Sequence, residues 1–127
     1  MVKTTTRLFA ALTLCILVAT ASASPSNKWR LQFSGSSHSE GDIVIELTPV
    51  GAEPIVVSIR VPDDTSENAV AKHVVKGLRA ELPADAFHVE RDDGEDVLIK
   101  KRHGAANFDL QIIFNSVKHV RINKDRE

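Results

Sequence analysis

The sequence predicts a two-layer α+β domain: a mostly antiparallel sheet with one helix packed on one face, in the order β-β-β-α-β-β-β. Three observations predict it. Apolar and polar residues alternate in several short runs, which is the period of a strand with one buried face. One stretch alone switches to a helical period, and a single helix must hide its apolar stripe against a sheet. Prolines and glycines fall between these runs rather than within the strands.

The chain opens on an export address. Lys3 and Arg7 give a short positive start, Leu8 to Ala19 form an apolar core broken only by Thr13, and Ala21-Ser22-Ala23 supplies small residues for cleavage. This core falls short of the roughly 20 apolar residues that span a bilayer. Residues 1–23 therefore read as a cleaved secretory signal peptide. Residues 24–127 read as a single small α+β domain with frayed ends, secreted or periplasmic and without a stable membrane anchor. An uncleaved anchor is the competing reading.

Cleavage has chemical consequences. It removes Cys15, the only cysteine, and with it disulfides, thiolate metal sites and a cysteine nucleophile. It also removes Lys3 and Arg7, which takes the 16 basic residues to 14 against 17 acidic ones. That slightly acidic balance is not the basic field of a nucleic-acid-binding domain. A domain of about a hundred residues must then stand on its hydrophobic core alone.

The elements follow in order. Trp29, Leu31 and Phe33 alternate with Arg30, Gln32 and Ser34, giving a first strand. Gly35 to Asp42 (GSSHSEGD) is small and polar and reads as a loop. Ile43 to Leu47 is a second strand, residues 49–54 a turn, and Ile55 to Val61 a third strand ending at Pro62. From Glu67, apolar residues recur at Val70, Val74, Leu78 and Leu82, with Ala71 and Val75 beside them, which is one side of a helix. Asp64, Thr65 and Ser66 offer cap oxygens, and Pro83 stops the helix. Gly77 inside it costs up to about 1 kcal/mol relative to Ala, so it marks a close approach to the sheet. Phe87 to Arg91 and Asp96 to Lys101 flank Asp93-Gly94, a strong hairpin signal. Phe108, Leu110, Ile112 and Phe114 alternate with Asp109, Gln111 and Ile113 as a sixth strand. Val117 to Ile122 forms a short terminal strand, and the polar tail from Asn123 is expected to fray.

Four groups of residues are candidate sites. The 35–42 loop gathers Ser36, Ser37 and His38 with Glu40 and Asp42, the residue types of a hydrolase. It lacks the G-x-S-x-G elbow and the rigid support of a triad, so a solvated loop, or a ligand contact, is the expected reading. Lys100, Lys101, Arg102 and His103, together with Lys118, His119, Arg121 and Lys124, form one positive face if the last strands pair. That face would suit an acidic polysaccharide, a phosphate group or an acidic protein. Third, Val44, Val56, Leu98 and Ile113 are apolar but out of phase with the core. They point to the far side of the sheet, where a partner or a second copy would cover them. Fourth, the acidic run 90–96 lacks calcium-loop spacing and reads as a hairpin tip. The five histidines show no metal-site spacing, and no cofactor is implied.

These readings converge on an exported, non-catalytic protein–protein interaction or structural module that binds an unidentified protein or a second copy of itself. One alternative is a secreted inhibitor or a polyanion- or ligand-binding module. A small hydrolase using the 35–42 loop is another. Stacking platforms for nucleic-acid bases or sugars are poorly supplied, because there is no tyrosine and the core claims most of the aromatics.

Overall fold

A computed structural model describes residues 24–127 of the 127-residue chain. The expected signal peptide lies outside the described residues. The strands are β1 (Lys28–Ser34), β2 (Gly41–Pro49), β3 (Ile55–Val61), β4 (Phe87–Asp92), β5 (Asp96–Lys101), β6 (Phe108–Asn115) and β7 (Arg121–Arg126), and the helix is α1 (Glu67–Glu81). The domain is a two-layer α+β fold. Every strand pair is antiparallel, and the helix packs on the sheet layer. That layer is split into a four-stranded sheet, β4-β5-β1-β7, and a three-stranded sheet, β3-β2-β6.

Alternation builds one core from both sheets. Leu31 and Phe33 of β1, Ile43, Ile45 and Leu47 of β2, Val57 and Ile59 of β3, and Val97 and Ile99 of β5 are all buried in one cluster. The helix adds Val70, Ala71, Val74, Val75 and Leu78 to it. Its start follows from the cap: the Ser66 side chain accepts from the Ala69 N–H, satisfying an orphan donor of the first turn. Gly77 meets the sheet as expected. A Cβ built there would sit 2.7 Å from Cγ1 of Ile59.

The two sheets are joined along both seams. On one side α1 packs mainly on β3 and β4, the edge strands of the two sheets. On the other, β6 and β7 exchange side-chain bonds instead of a ladder. Lys124 Nζ donates to the Leu110 carbonyl at 2.8 Å, and Asn115 Nδ2 donates to the Val120 carbonyl at 3.0 Å. Ser26 and Phe108 add an isolated bridge. The Trp29 indole N–H donates to the Phe108 carbonyl at 2.8 Å, so the buried ring leaves no unpaired donor.

The polar end of the chain corrects an expectation. The last strand is Arg121–Arg126, later than the expected 117–122, and the tail is paired along β1 rather than frayed. The cause is electrostatic and backbone pairing rather than apolar pattern. Glu127 donates its N–H to the Lys28 carbonyl, accepts from Ser26 Oγ at its own carbonyl, and pairs its carboxylate with Lys28 and Arg30.

Candidate functional site

The 35–42 loop is a structural tie, not a solvated loop. Ser37 is buried, and its hydroxyl donates to the Pro62 carbonyl at 2.7 Å and accepts from the Thr65 N–H at 2.6 Å. Its backbone exchanges two further bonds with the same turn: Ser37 N–H to the Thr65 carbonyl and Asp64 N–H to the Ser37 carbonyl. The Gly35 N–H donates to Glu67 Oε2 at 2.7 Å, which fastens the loop to the first turn of α1. Ser37 is therefore withdrawn as a contact residue, because its oxygen is spent on the backbone of the 62–65 turn.

The remaining hydrolase elements do not converge. His38 is exposed, and its ring packs edge-to-face on His119 with centroids 4.1 Å apart. Among the described residues no serine or carboxylate bonds to the His38 ring. Arg60 takes both candidate carboxylates, Glu40 at 2.8 Å and Asp42 at 3.3 Å. Ser36 is half-buried with no side-chain bond. The His38–His119 pair could not be read from the sequence, because the two residues lie on separate loops.

The basic residues do not form one face. β7 pairs with β1, not with β6. Lys28 opposite Lys100 and Ser34 opposite Arg121 mark the two ends of β1, about 20 Å apart at strand rise. Lys124 turns inward, with its ammonium 5.1 Å from the centroid of the Trp29 ring. Lys100, Lys101 and Arg102 stay together at one end. Lys100 pairs with Glu90 at 2.7 Å, Lys101 Nζ donates to the Ala105 carbonyl and Arg102 Nε to the Ala84 carbonyl.

The outer face of the four-stranded sheet is a charge network. Arg30 reaches Asp96 at 2.7 Å, Asp92 at 3.1 Å and the Glu127 carboxylate. These bonds hold the Arg30 pKa above its usual value, with the Glu127 bond the largest cause. The Arg30 bond, followed by that of Lys28, brings Glu127 down to about 2. Glu90 is lowered by its bond to Lys100 and then by that to His88. Leu98 is flanked on this face by Arg30 and Glu90 and is only 4% exposed. Leu98 is therefore withdrawn as a partner contact: long charged neighbours cover it within the monomer. At the hairpin tip, Asp92 and Asp96 both pair with Arg30. Among the described residues no group of three or more His, Cys, Asp or Glu gathers as a metal site. No helix among them is long and apolar enough to cross a membrane.

The outer face of the three-stranded sheet is different. Val44 on β2 is half-buried there, and Val56 on β3 is 54% exposed. β6 carries a bulge: Val44 opposes Phe114 while Ile45 opposes Ile112, so Ile113 is an extra residue. The extra residue reverses the alternation, so Phe114 leaves the core side and stands beside Val44, 53% exposed, next to Ile113 at 50%. Phe114 is the exposed aromatic of this face that sequence reasoning missed. Among the described residues the other aromatics, Trp29, Phe33, Phe87 and Phe108, are all buried. Ser58, Val44 and Phe114 form one row of this face and Val56, Glu46 and Gln111 the next, so Val56 meets Val44 only on the diagonal; Arg60, paired with Glu40 and Asp42, closes the other side of the Val44 row.

No protein-family model matches the chain, and neither a curated protein nor a solved structure does so.

Proposed function

We propose that this chain is an exported, non-catalytic interaction module that binds a protein partner through the outer face of its three-stranded sheet. The observation that supports this reading is the bulge at Ile113, which turns Phe114 outward beside Val44. An outward aromatic at the centre of an apolar strip, with a charged frame, is the anatomy of an interface core and rim. At one end of the frame Arg60, Glu40 and Asp42 are already paired with each other, whereas Glu46 has no ion-pair partner among the described residues and would need one from the partner. The edges of this sheet are less available than its face, since α1 packs on β3 and Lys124 takes a β6 carbonyl. A stable dimer needs roughly 800 Å² from each copy. Four side chains, one of them half-buried, supply much less, so the contact proposed is a transient one with a different protein that has a complementary apolar centre, rather than a stable dimer.

The test joins sizing with site-specific crosslinking. Residues 24–127 should be monomeric by light scattering. A photocrosslinker at position 56 should capture one partner from secreted or periplasmic material of the source cells. Phe114→Ser should weaken that partner's binding by about 30-fold, the scale of an interface hot spot, at unchanged melting temperature. Capture that is indifferent to Phe114→Ser, or a concentration-independent dimer, would overturn the reading.

A further inference from the structure

Three grooves adjoin one another along α1, β4 and the end of β5. The first, about 350 Å³, lies between α1 and β4 and is walled by Lys72, Lys76, Arg79 and Arg91 over Val75. The second, about 380 Å³, begins at the same Arg79, passes over Leu82, Phe87 and Val89, and ends at Arg102. A third, about 240 Å³, begins at Arg102 and continues past Lys101 to His103, with Lys28 and Lys100 at its border. Arg79 and Arg102 are the shared residues that make the three one track. No aspartate or glutamate lines any of them.

Most of the charge along the first two grooves and at Arg102 is uncompensated, whereas Lys28, Lys100 and His88 meet carboxylates. Lys72, Lys76 and Arg79 stand at helical spacings of four and three, which sets them on one face over about 10 Å. Among the described residues none of these three, nor Arg91, Lys101 or Arg102, has a carboxylate within 4.0 Å. Lys28 and Lys100 do, through Glu127 and Glu90. The domain as a whole is slightly acidic, so an all-basic track is a segregation of charge rather than a reflection of composition. Gathering like charges costs stability, and a bound polyanion relieves that cost.

We infer that this track binds a linear acidic polysaccharide. The arginine forks suit carboxylate or sulfate groups, which they can bond in pairs. Nucleic acid fits less well, since no aromatic ring stands exposed along the track for base stacking: Phe87 is 5% exposed. The export address also places the protein where acidic polysaccharides are found. The inference is independent of the apolar strip, which lies on the other sheet.

The test titrates residues 24–127 with fluorescently labelled oligosaccharides in 50 mM and 300 mM salt. Heparin fragments supply the sulfated arm, oligogalacturonate the carboxylated arm, neutral dextran the control and a dT12 oligonucleotide the competing class. Binding to at least one acidic sugar is expected, weakening at least tenfold at the higher salt, with none to dextran. A Lys72→Gln/Lys76→Gln variant, whose side chains are exposed and make no bonds, should weaken binding at least tenfold. An Arg79→Gln/Arg102→Gln variant should weaken it further, read alongside its melting temperature because it removes two carbonyl contacts. Lys118→Gln/Arg121→Gln, off the track, should weaken it less than twofold. Equal loss in that control, tighter binding of dT12 than of either sugar, or no binding at 50 mM salt would overturn the inference. Loss of partner capture in Phe114→Ser would leave it untouched.

Discussion

Replacing Ser37 with alanine separates a structural loop from a reactive one. The Pro62 carbonyl keeps a partner, because Thr65 Oγ1 also donates to it at 2.8 Å. The Thr65 N–H does not: Ser37 Oγ is its acceptor, at 2.6 Å in a buried setting. A buried donor left without an acceptor costs about 1–3 kcal/mol. For a domain of this size each kcal/mol shifts the melting temperature by about 4–8 °C. Ser37→Ala should therefore lower Tm by about 4–24 °C. Ser36→Ala, which breaks no hydrogen bond, should stay within about 0.5 kcal/mol of the parent. The assay is thermal and urea unfolding followed by the fluorescence of the single tryptophan, Trp29, which is buried in the core. A neutral Ser37→Ala, or equal losses at 36 and 37, would refute the structural reading and restore the loop as a candidate site.

Other outcomes follow from the same geometry. Gly77→Ala gains about 1 kcal/mol of helix propensity but drives a methyl against Ile59, at a cost of about 1–3 kcal/mol for overpacking. It should be neutral to destabilising in urea unfolding, and a stabilised variant would show that the helix has room to retreat. Leu98→Ala should cost about 2 kcal/mol or more, as a buried leucine does, whereas an outward partner-binding leucine would cost little in the free protein. The Glu127 carboxyl, at about 2 in the fold against 4.5 in its ordinary state, and Glu90, lowered by Lys100, both contribute stability above the ordinary value. That contribution is lost as pH falls from about 5 toward 2, so Tm should drop across this window, and Glu127→Gln should flatten the drop.

The sequence carried most of the secondary structure because the periods are clean. Ile55–Val61, Glu67 onward and Asp96–Lys101 are where alternation or the helical stripe placed them. What it did not carry has identifiable causes. Alternation cannot count a bulge, so Phe114 was placed inside although one extra residue, Ile113, turns it out. Phase alone put Leu98 on the solvent side correctly, but its exposure depends on Arg30 and Glu90, which come from other strands. The segment RINKDR has little strand signal of its own. Its pairing comes from β1 and from ion pairs made across the whole length of the domain. Ser37 shows the same limit, since a buried serine looks like a loop serine until the backbone that needs its oxygen is known.

The position of β1 has a consequence for timing. It lies between β5 and β7, so the first strand is completed only by later ones, and Ser26 meets Glu127 across 101 positions. Such distant pairings form slowly, because long loops must close before any contact rewards them. A nascent chain can pair one edge of its first strand once β5 is made, but the other edge stays unmatched until the final six-residue strand is synthesised. Truncation within β7 should thus strip one edge from β1 and remove the anchors of Arg30 and Lys28 together. If the proposed export holds, a fold that closes last through this strand would delay premature folding before translocation.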